Sequence, residues 1–85
     1  MTLAVSTYFE GHDDTISLNI MDHEEVVSMF NQIFEDYEID APYLNTIRDL
    51  INFVENDFEN TGYRLAELFR FTIVDINNRQ TILEW

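Results

Sequence analysis

The 85-residue chain contains no cysteine, no lysine, only two glycines and only one proline. Without cysteine it forms neither disulfide bonds nor thiolate metal sites. The few glycine and proline residues indicate that loops are a small part of the chain. No apolar run approaches the roughly 18 residues typical of a transmembrane helix, and residues 1–6 lack the basic and apolar regions of a signal peptide. We therefore expect a soluble, cytoplasmic protein that does not bind membranes.

Positively charged residues are also scarce. Seventeen acidic residues accompany four arginines, so the net charge is −13 and the pI about 4.1. Most chains this acidic are disordered because they bury too little apolar surface. This chain, however, is 46% hydrophobic and contains seven Phe, four Tyr and one Trp. We therefore expect one folded, compact acidic domain over residues 1–85, with a modest core.

The excess negative charge also bears on the partner. A surface of one sign repels itself, and strongly basic surfaces are commonly those that hold nucleic acid. The expected partner is the basic nucleic-acid-binding surface of a protein or ribonucleoprotein complex. The same charge disfavours direct binding to nucleic acid and to anionic membranes. The oligomeric state is expected to be monomer or homodimer.

Alternating and helical periodicities predict the secondary structure. Residues 3–9 and 15–21 alternate, which predicts a hairpin with one buried face that includes Ile16, Leu18 and Ile20. A first helix is expected to start after Asp22 as N-cap, with Glu25 completing a capping-box pattern. Its apolar stripe has helical spacing and comprises Val26, Val27, Phe30, Ile33, Phe34 and Tyr37.

The second half of the chain predicts another helix and another hairpin. The second helix is expected to begin near Asp40–Pro42 and to stop at Gly62. Its apolar stripe comprises Tyr43, Leu44, Ile47, Leu50, Ile51, Val54 and Phe58. Residues 68–76 and 79–85 read as strands joined by a two-residue turn of positive φ at Asn77–Asn78.

Residues 63–67 fit either a strand extension or a short helical turn, and the hairpin register places Arg70 opposite Trp85. The predicted fold class is α+β: an antiparallel sheet in the chain order ββααββ, with two helices packed on one face. Within that fold we expect five apolar side chains to be buried together: Phe30, Phe34, Ile47, Ile51 and Val54.

Carboxylates cluster in three short groups. One cation-free face of the first helix, opposite its apolar stripe, includes Glu25, Glu35 and Asp36. Helical positions three or four apart lie about 5–6 Å from one another, close to the spacing of phosphates along a strand. An arginine-lined channel could therefore accept such a row, although a merely solvated polar face is the alternative. The candidate partner-binding residues are Asp22, Glu24 and Glu25; Glu35, Asp36, Glu38 and Asp40; and Glu55, Asp57 and Glu59.

Metal and catalytic sites are not indicated. Residues 12–14 and 23–25 combine histidine with acids, but neither group has EF-hand or zinc-binding spacing. The chain has no glycine-rich phosphate loop and no nucleophile elbow. A pair of carboxylates acts as acid and base only in a cleft that separates their pKa values, for which 85 residues leave little room. We predict no metal, no cofactor and no enzymatic activity.

In charge and size, the whole chain resembles the small acidic inhibitors of phages and mobile elements that mimic nucleic acid, among them anti-CRISPR proteins, anti-restriction proteins and uracil-DNA glycosylase inhibitors. It also resembles the acidic immunity proteins that neutralise nuclease toxins. The first resemblance implies a stoichiometric inhibitor that blocks the nucleic-acid site of a bacterial enzyme or defence complex. Two alternatives stay open: an immunity protein against a basic nuclease toxin, and an acidic adaptor subunit.

Overall fold

A computed structural model of the chain describes residues 2–11, 16–60 and 63–85. The fold is α+β, with four antiparallel strands and the predicted ββααββ order, to which a short third helix is added. The strands and helices, in chain order, are β1 (Thr2–Phe9), β2 (Ile16–Asp22), α1 (His23–Asp36), α2 (Ile47–Asn56), α3 (Tyr63–Leu68), β3 (Phe69–Asp75) and β4 (Gln80–Glu84). No helix among the described residues is long and apolar enough to cross a membrane.

The chain divides into two units. The sheet unit consists of the chain through Asp22 together with Leu68–Trp85, and the helical unit consists of His23–Glu67. In the sheet unit the strand order is β2-β1-β3-β4. The two predicted hairpins, β1–β2 and β3–β4, are therefore joined into one sheet by the pairing of β1 with β3. The central strands are thus the first and the third in the chain.

One face of the sheet is buried, and we call it the Leu3 face. Register aligns Val5 with Ile73 and Ile73 with Leu83, and all three side chains are buried. Aromatic rings continue this face, since the ring centroids of Phe9 and Phe69 lie 4.5 Å apart in a stacked arrangement. The alternation predicted for residues 3–9 is therefore confirmed for Leu3 and Val5, the most strongly buried positions of β1.

The prediction that Ile16, Leu18 and Ile20 share a buried face with β1 is wrong. These side chains are 69%, 69% and 62% exposed. Register explains the difference, because Leu18 pairs with Ser6 and Ile20 with Ala4, which places all three on the face opposite Leu3. A period-two pattern identifies two faces of a strand, but only the pairing register decides which one is buried.

The turn between β3 and β4 also differs from the prediction. Four residues, 76–79, connect the strands, and the positive φ occurs at Arg79 (52°) instead of at Asn77 and Asn78. Asp75 determines this turn, because its carboxylate accepts hydrogen bonds from the Asn77 and Asn78 backbone amides and, at 2.7 Å, from the Asn78 side chain.

The register of this hairpin is shifted as well. Trp85 exchanges two backbone hydrogen bonds with Phe71, so the expected pairing of Trp85 with Arg70 is wrong. Arg70 instead lies opposite Tyr8 of β1. A register irregularity between Ile73 and Val74 accompanies the change.

Aromatic side chains form the core of the helical unit. Phe34 of α1 lies against Phe53 and Phe58, with ring centroids 5.1 and 6.5 Å apart. Burial of Phe30, Phe34 and Val54 confirms that part of the predicted core, whereas Ile47 and Ile51 are only half-buried. Phe53 takes the buried position that the sequence analysis assigned to Ile47 and Ile51.

The second helix starts later than predicted. α2 begins at Ile47, after Thr46 as N-cap, and not near Asp40–Pro42. Thr46 and Asp49 form a complete capping box, in which the Asp49 backbone amide donates to Thr46 Oγ1 and the Asp49 carboxylate accepts from the Thr46 backbone amide. This reciprocal pair satisfies two backbone amides at the start of the helix. The expected stop at Gly62 lies outside the described residues, and α2 ends at Asn56.

The sequence left open whether residues 63–67 extend a strand or form a short helical turn, and the structure shows a helix. They belong to the short helix α3, which runs from Tyr63 to Leu68 and passes directly into β3 at Phe69. Glu10 then closes the sheet unit at this point, since its backbone amide donates to the Leu68 carbonyl at 2.8 Å.

Candidate functional site

The negative charge is concentrated in the helical unit. Eleven of the seventeen acidic residues and two of the four arginines lie within His23–Glu67. The sheet unit keeps six acids and the other two arginines, so the helical unit carries the larger share of the −13 charge.

All ten predicted contact residues are exposed to solvent, and they occupy different parts of the structure. Glu24 and Glu25 lie in the first turn of α1, at the positive end of its dipole, and Asp22 is the residue directly before the helix. The other seven lie at and beyond the C-terminal ends of the two longer helices: Glu35, Asp36, Glu38, Asp40, Glu55, Asp57 and Glu59. Because α1 has 14 residues, its two acidic ends lie about 20 Å apart at 1.5 Å rise per residue.

The C-terminal end of α1 has a well-defined backbone geometry. The Ile39 amide donates to the Phe34 carbonyl at 2.7 Å, and the Glu38 amide donates to the Glu35 carbonyl at 3.2 Å. These two bonds are those of a Schellman motif, with Glu38 at the left-handed position (φ 55°). Glycine is the usual residue there, because an L side chain is strained at positive φ. A carboxylate thus occupies a backbone position that stability alone would assign to glycine.

The segment between the helices, residues 37–46, is fixed at both ends, and we call it the Tyr43 loop. Asn31 of α1 makes two hydrogen bonds to the Leu44 backbone, donating to its carbonyl and accepting from its amide, each 2.9 Å long. The Leu44 side chain is buried, and the capping box of α2 holds the following residues. Consequently Tyr43 projects outward, with 77% of its surface exposed.

The sequence analysis placed Tyr43 on the apolar stripe of the second helix, and that assignment is wrong. The start of α2 at Ile47 leaves Tyr43 in the loop, where it is the most exposed of the large hydrophobic side chains among the described residues. The sequence did contain a signal for this arrangement: Thr46 followed by Asp49 is itself a capping-box pattern, and it would have moved the helix start past Tyr43.

Two shallow clefts lie on either side of Pro42 and Tyr43. The smaller, about 210 Å³, is lined by Asn31, Glu35 and Ile39 among others. The larger, about 380 Å³, is lined by Asn52, Asn56 and Asp57 together with the loop. The loop therefore brings one member of the Glu35 group and one member of the Glu55 group to neighbouring clefts, whereas Asp22, Glu24 and Glu25 lie at the far end of α1.

Two other acids serve the fold. Asp49 is half-buried and caps α2. Asp75 is buried, and the hydrogen bond from the Asn78 side chain, reinforced by the backbone amides of the same turn, holds the pKa of its carboxyl below the ordinary value. Neither was among the predicted contacts, and both are engaged within their own unit.

The sequence analysis considered two groups of residues for metal binding, and the structure describes one of them. The group at residues 12–14 lies outside the described residues. His23 and its acidic neighbours are exposed at the start of α1, and the described part of the chain contains no group of three or more His, Asp or Glu side chains arranged to hold a metal ion.

No protein-family model, curated protein or solved structure matches this chain.

Proposed function

We propose that the protein is a stoichiometric inhibitor that mimics nucleic acid with surface carboxylates and blocks the DNA- or RNA-binding site of a bacterial defence complex or enzyme, of the anti-CRISPR or anti-restriction type. It is not an enzyme in this proposal and needs no cofactor. Its partner is an arginine-rich surface that otherwise holds phosphates.

The observation that carries this proposal is the end of α1. Glu38 keeps a carboxylate at the left-handed helix stop, beside the exposed carboxylates of Glu35 and Asp36. A strained backbone conformation persists where something other than stability favours it, and binding sites are where such strain accumulates. The hydrogen-bonded helix end fixes the backbone of these acids, so binding orders their side chains but not their backbone.

Recognition follows from the chemistry of carboxylates and guanidinium groups. Arginine side chains that grip phosphates accept carboxylates in the same two-pronged geometry and form charge-assisted hydrogen bonds with them. Tyr43 adds an exposed ring between the two clefts, on which a guanidinium plane can stack. Tyrosine and arginine are the residue types that dominate binding energy at interfaces.

A second candidate is an immunity protein that neutralises a basic nuclease toxin. It is favoured by the same Tyr43 loop, because a single projecting aromatic between two clefts is a compact epitope. An extended groove instead contacts the acids at both ends of α1, including Glu24 and Glu25. The two candidates therefore differ in whether the far end of α1 contributes to binding.

The test uses fluorescently labelled DNA bound to purified CRISPR effector complexes, restriction enzymes and nuclease toxins. The chain should release the DNA at about one equivalent from at least one of these proteins, and it should not bind the labelled DNA itself. Release from a nuclease toxin alone favours the immunity protein. If the chain binds the DNA directly, or releases it from none of them, the proposal is wrong.

Three finer predictions belong to this proposal. The helices are expected to pack on one face of the sheet within a single domain. The expected location is the cytoplasm, which is the host cytoplasm if a phage encodes the chain, because that is where defence complexes meet nucleic acid. Direct contacts with nucleic acid or with membranes are not expected.

A further inference from the structure

The edge strand β2 carries an apolar surface that the acidic-mimic proposal does not use. Ile16, Leu18 and Ile20 are all more than 60% exposed and lie on one face of the strand. Contiguous exposed aliphatic side chains on a small protein usually mark an interaction surface. We propose that this strand is the interface of a homodimer, in which β2 pairs antiparallel with β2 of a second copy.

The position of the apolar residues favours pairing at the edge over stacking on the face. Across the sheet, the row that begins at Leu18 continues through Ser6 and Thr72. The row from Ile16 continues through Tyr8 and Arg70, and the row from Ile20 through Ala4 and Val74. The large aliphatic side chains of this face that are exposed therefore all lie on the outermost strand. A partner strand alongside β2 packs its side chains directly beside these aliphatics, whereas a partner lying flat on the face also meets Arg70 and the hydroxyl groups of Ser6 and Thr72.

The two edges of the sheet differ in a way that supports this choice. Strand β4 pairs with β3 through a register irregularity between Ile73 and Val74, and irregularities of this kind discourage further pairing at an edge. Strand β2 pairs with β1 over seven residue pairs without a shift. It contains neither lysine nor proline, the residues that protect exposed edges. Among the described residues, β2 is a regular strand at the end of the sheet.

The distribution of charge favours a second copy of the chain as the partner of β2. In β2, only the terminal residue Asp22 is charged. A basic partner therefore finds no carboxylate row along the strand, while two chains of net charge −13 repel least where their charge-poor surfaces meet. In an antiparallel pair about a twofold axis, the two copies of β2 lie side by side with the same face of each strand pointing the same way. The three aliphatic side chains of each copy, six in all, therefore share one face.

The expected affinity is modest. Two seven-residue strands bury an area at the small end of specific interfaces, below about 1,200 Å² in total. We therefore expect a dissociation constant in the micromolar range. Added NaCl should strengthen the dimer, because it screens the repulsion between the two acidic chains. Salt would weaken an interface held by acids and arginines, so the sign of the salt dependence separates this surface from the acidic one.

Sedimentation velocity of the full chain at rising concentration and at two NaCl concentrations tests the proposal. The wild type should form a dimer that tightens with salt, and the triple change Ile16→Thr, Leu18→Thr, Ile20→Thr should raise the dissociation constant at least tenfold. Threonine keeps the strand propensity of these positions. The control variant is Tyr43→Ser, which removes an even more exposed apolar side chain from the helical unit and should dimerise as the wild type does.

A second measurement guards against a variant that fails to fold. Amide hydrogen exchange of the wild type should slow in β2 as concentration rises, with no change in β4. A chain that stays monomeric at high salt, an assembly larger than a dimer, a dimer that persists in the threonine variant, or exchange in β2 that is independent of concentration would each overturn the proposal.

Discussion

The helix stop at Glu38 makes a prediction about both stability and binding. The change is Glu38→Gly. An L residue in the left-handed region costs about 1–2 kcal/mol, and glycine relieves that strain while losing about 0.5–1 kcal/mol in additional chain entropy. We expect a net stabilisation of about 0.5–1 kcal/mol, since Glu38 has φ 55°. For a domain of this size the corresponding rise in melting temperature is about 2–8 °C.

The assay is thermal unfolding followed by circular dichroism, with urea denaturation as an independent measure of the free energy of unfolding. Glu38→Gln is the matched control, because it removes the same charge but keeps a side chain at positive φ. Glycine should therefore stabilise the protein clearly more than glutamine does. Equal melting temperatures for the two variants would refute the argument that backbone strain is stored at this position. Both variants lose the carboxylate, so both should weaken capture of a basic target to a similar extent.

Four further predictions concern stability. Raising NaCl from about 0.02 M to about 0.3 M should raise the melting temperature, because it shortens the range of repulsion among the excess acids; a flat or falling melting temperature contradicts this. Phe34→Ala should lower the free energy of unfolding in urea by about 3–5 kcal/mol, since Phe34 is buried against Phe53. Tyr43→Ser, at an exposed site, should change it by less than about 0.5 kcal/mol. The lowered pKa of Asp75 means that its charged form stabilises the fold above its ordinary pKa near 4 and that this contribution is lost as pH falls through the lowered folded value. The difference in free energy of unfolding between wild type and Asp75→Asn should thus be largest near neutral pH. It should begin to narrow below about pH 4 and narrow further as pH falls through the lowered pKa; a difference that is independent of pH contradicts this reasoning.

The sequence predicts the element order well because period and turn chemistry are local signals. Alternation in residues 3–9 and the apolar stripe of α1 each depend on neighbours only a few positions apart. The predicted start of α2 is wrong because the Asp40–Pro42 pattern competes with the Thr46–Asp49 capping box. The hydrogen bonds between Asn31 and Leu44, which come from another helix, help to hold the preceding segment as a loop.

Long-range register was the harder part. Ile16, Leu18 and Ile20 have the alternation of a buried strand, and their exposure follows from the pairing of Leu18 with Ser6, which no local pattern encodes. The exposure of Tyr43 likewise depends on the loop that Asn31 fixes from another helix. The exposure of the ten predicted contact residues is easier to predict, since charged side chains are almost never fully buried unless they are paired.

The central claim, that the carboxylates near the end of α1 stand in for phosphates, is tested most directly by affinity for a basic target whose DNA the chain displaces. The triple change Glu35→Gln, Asp36→Asn, Glu38→Gln should preserve the far-UV circular dichroism spectrum and weaken binding at least tenfold, about 1.4 kcal/mol. The equivalent change at Glu55, Asp57 and Glu59 should have a smaller effect. Unchanged affinity in both triple variants would contradict the account and leave another surface of the chain to bind the target.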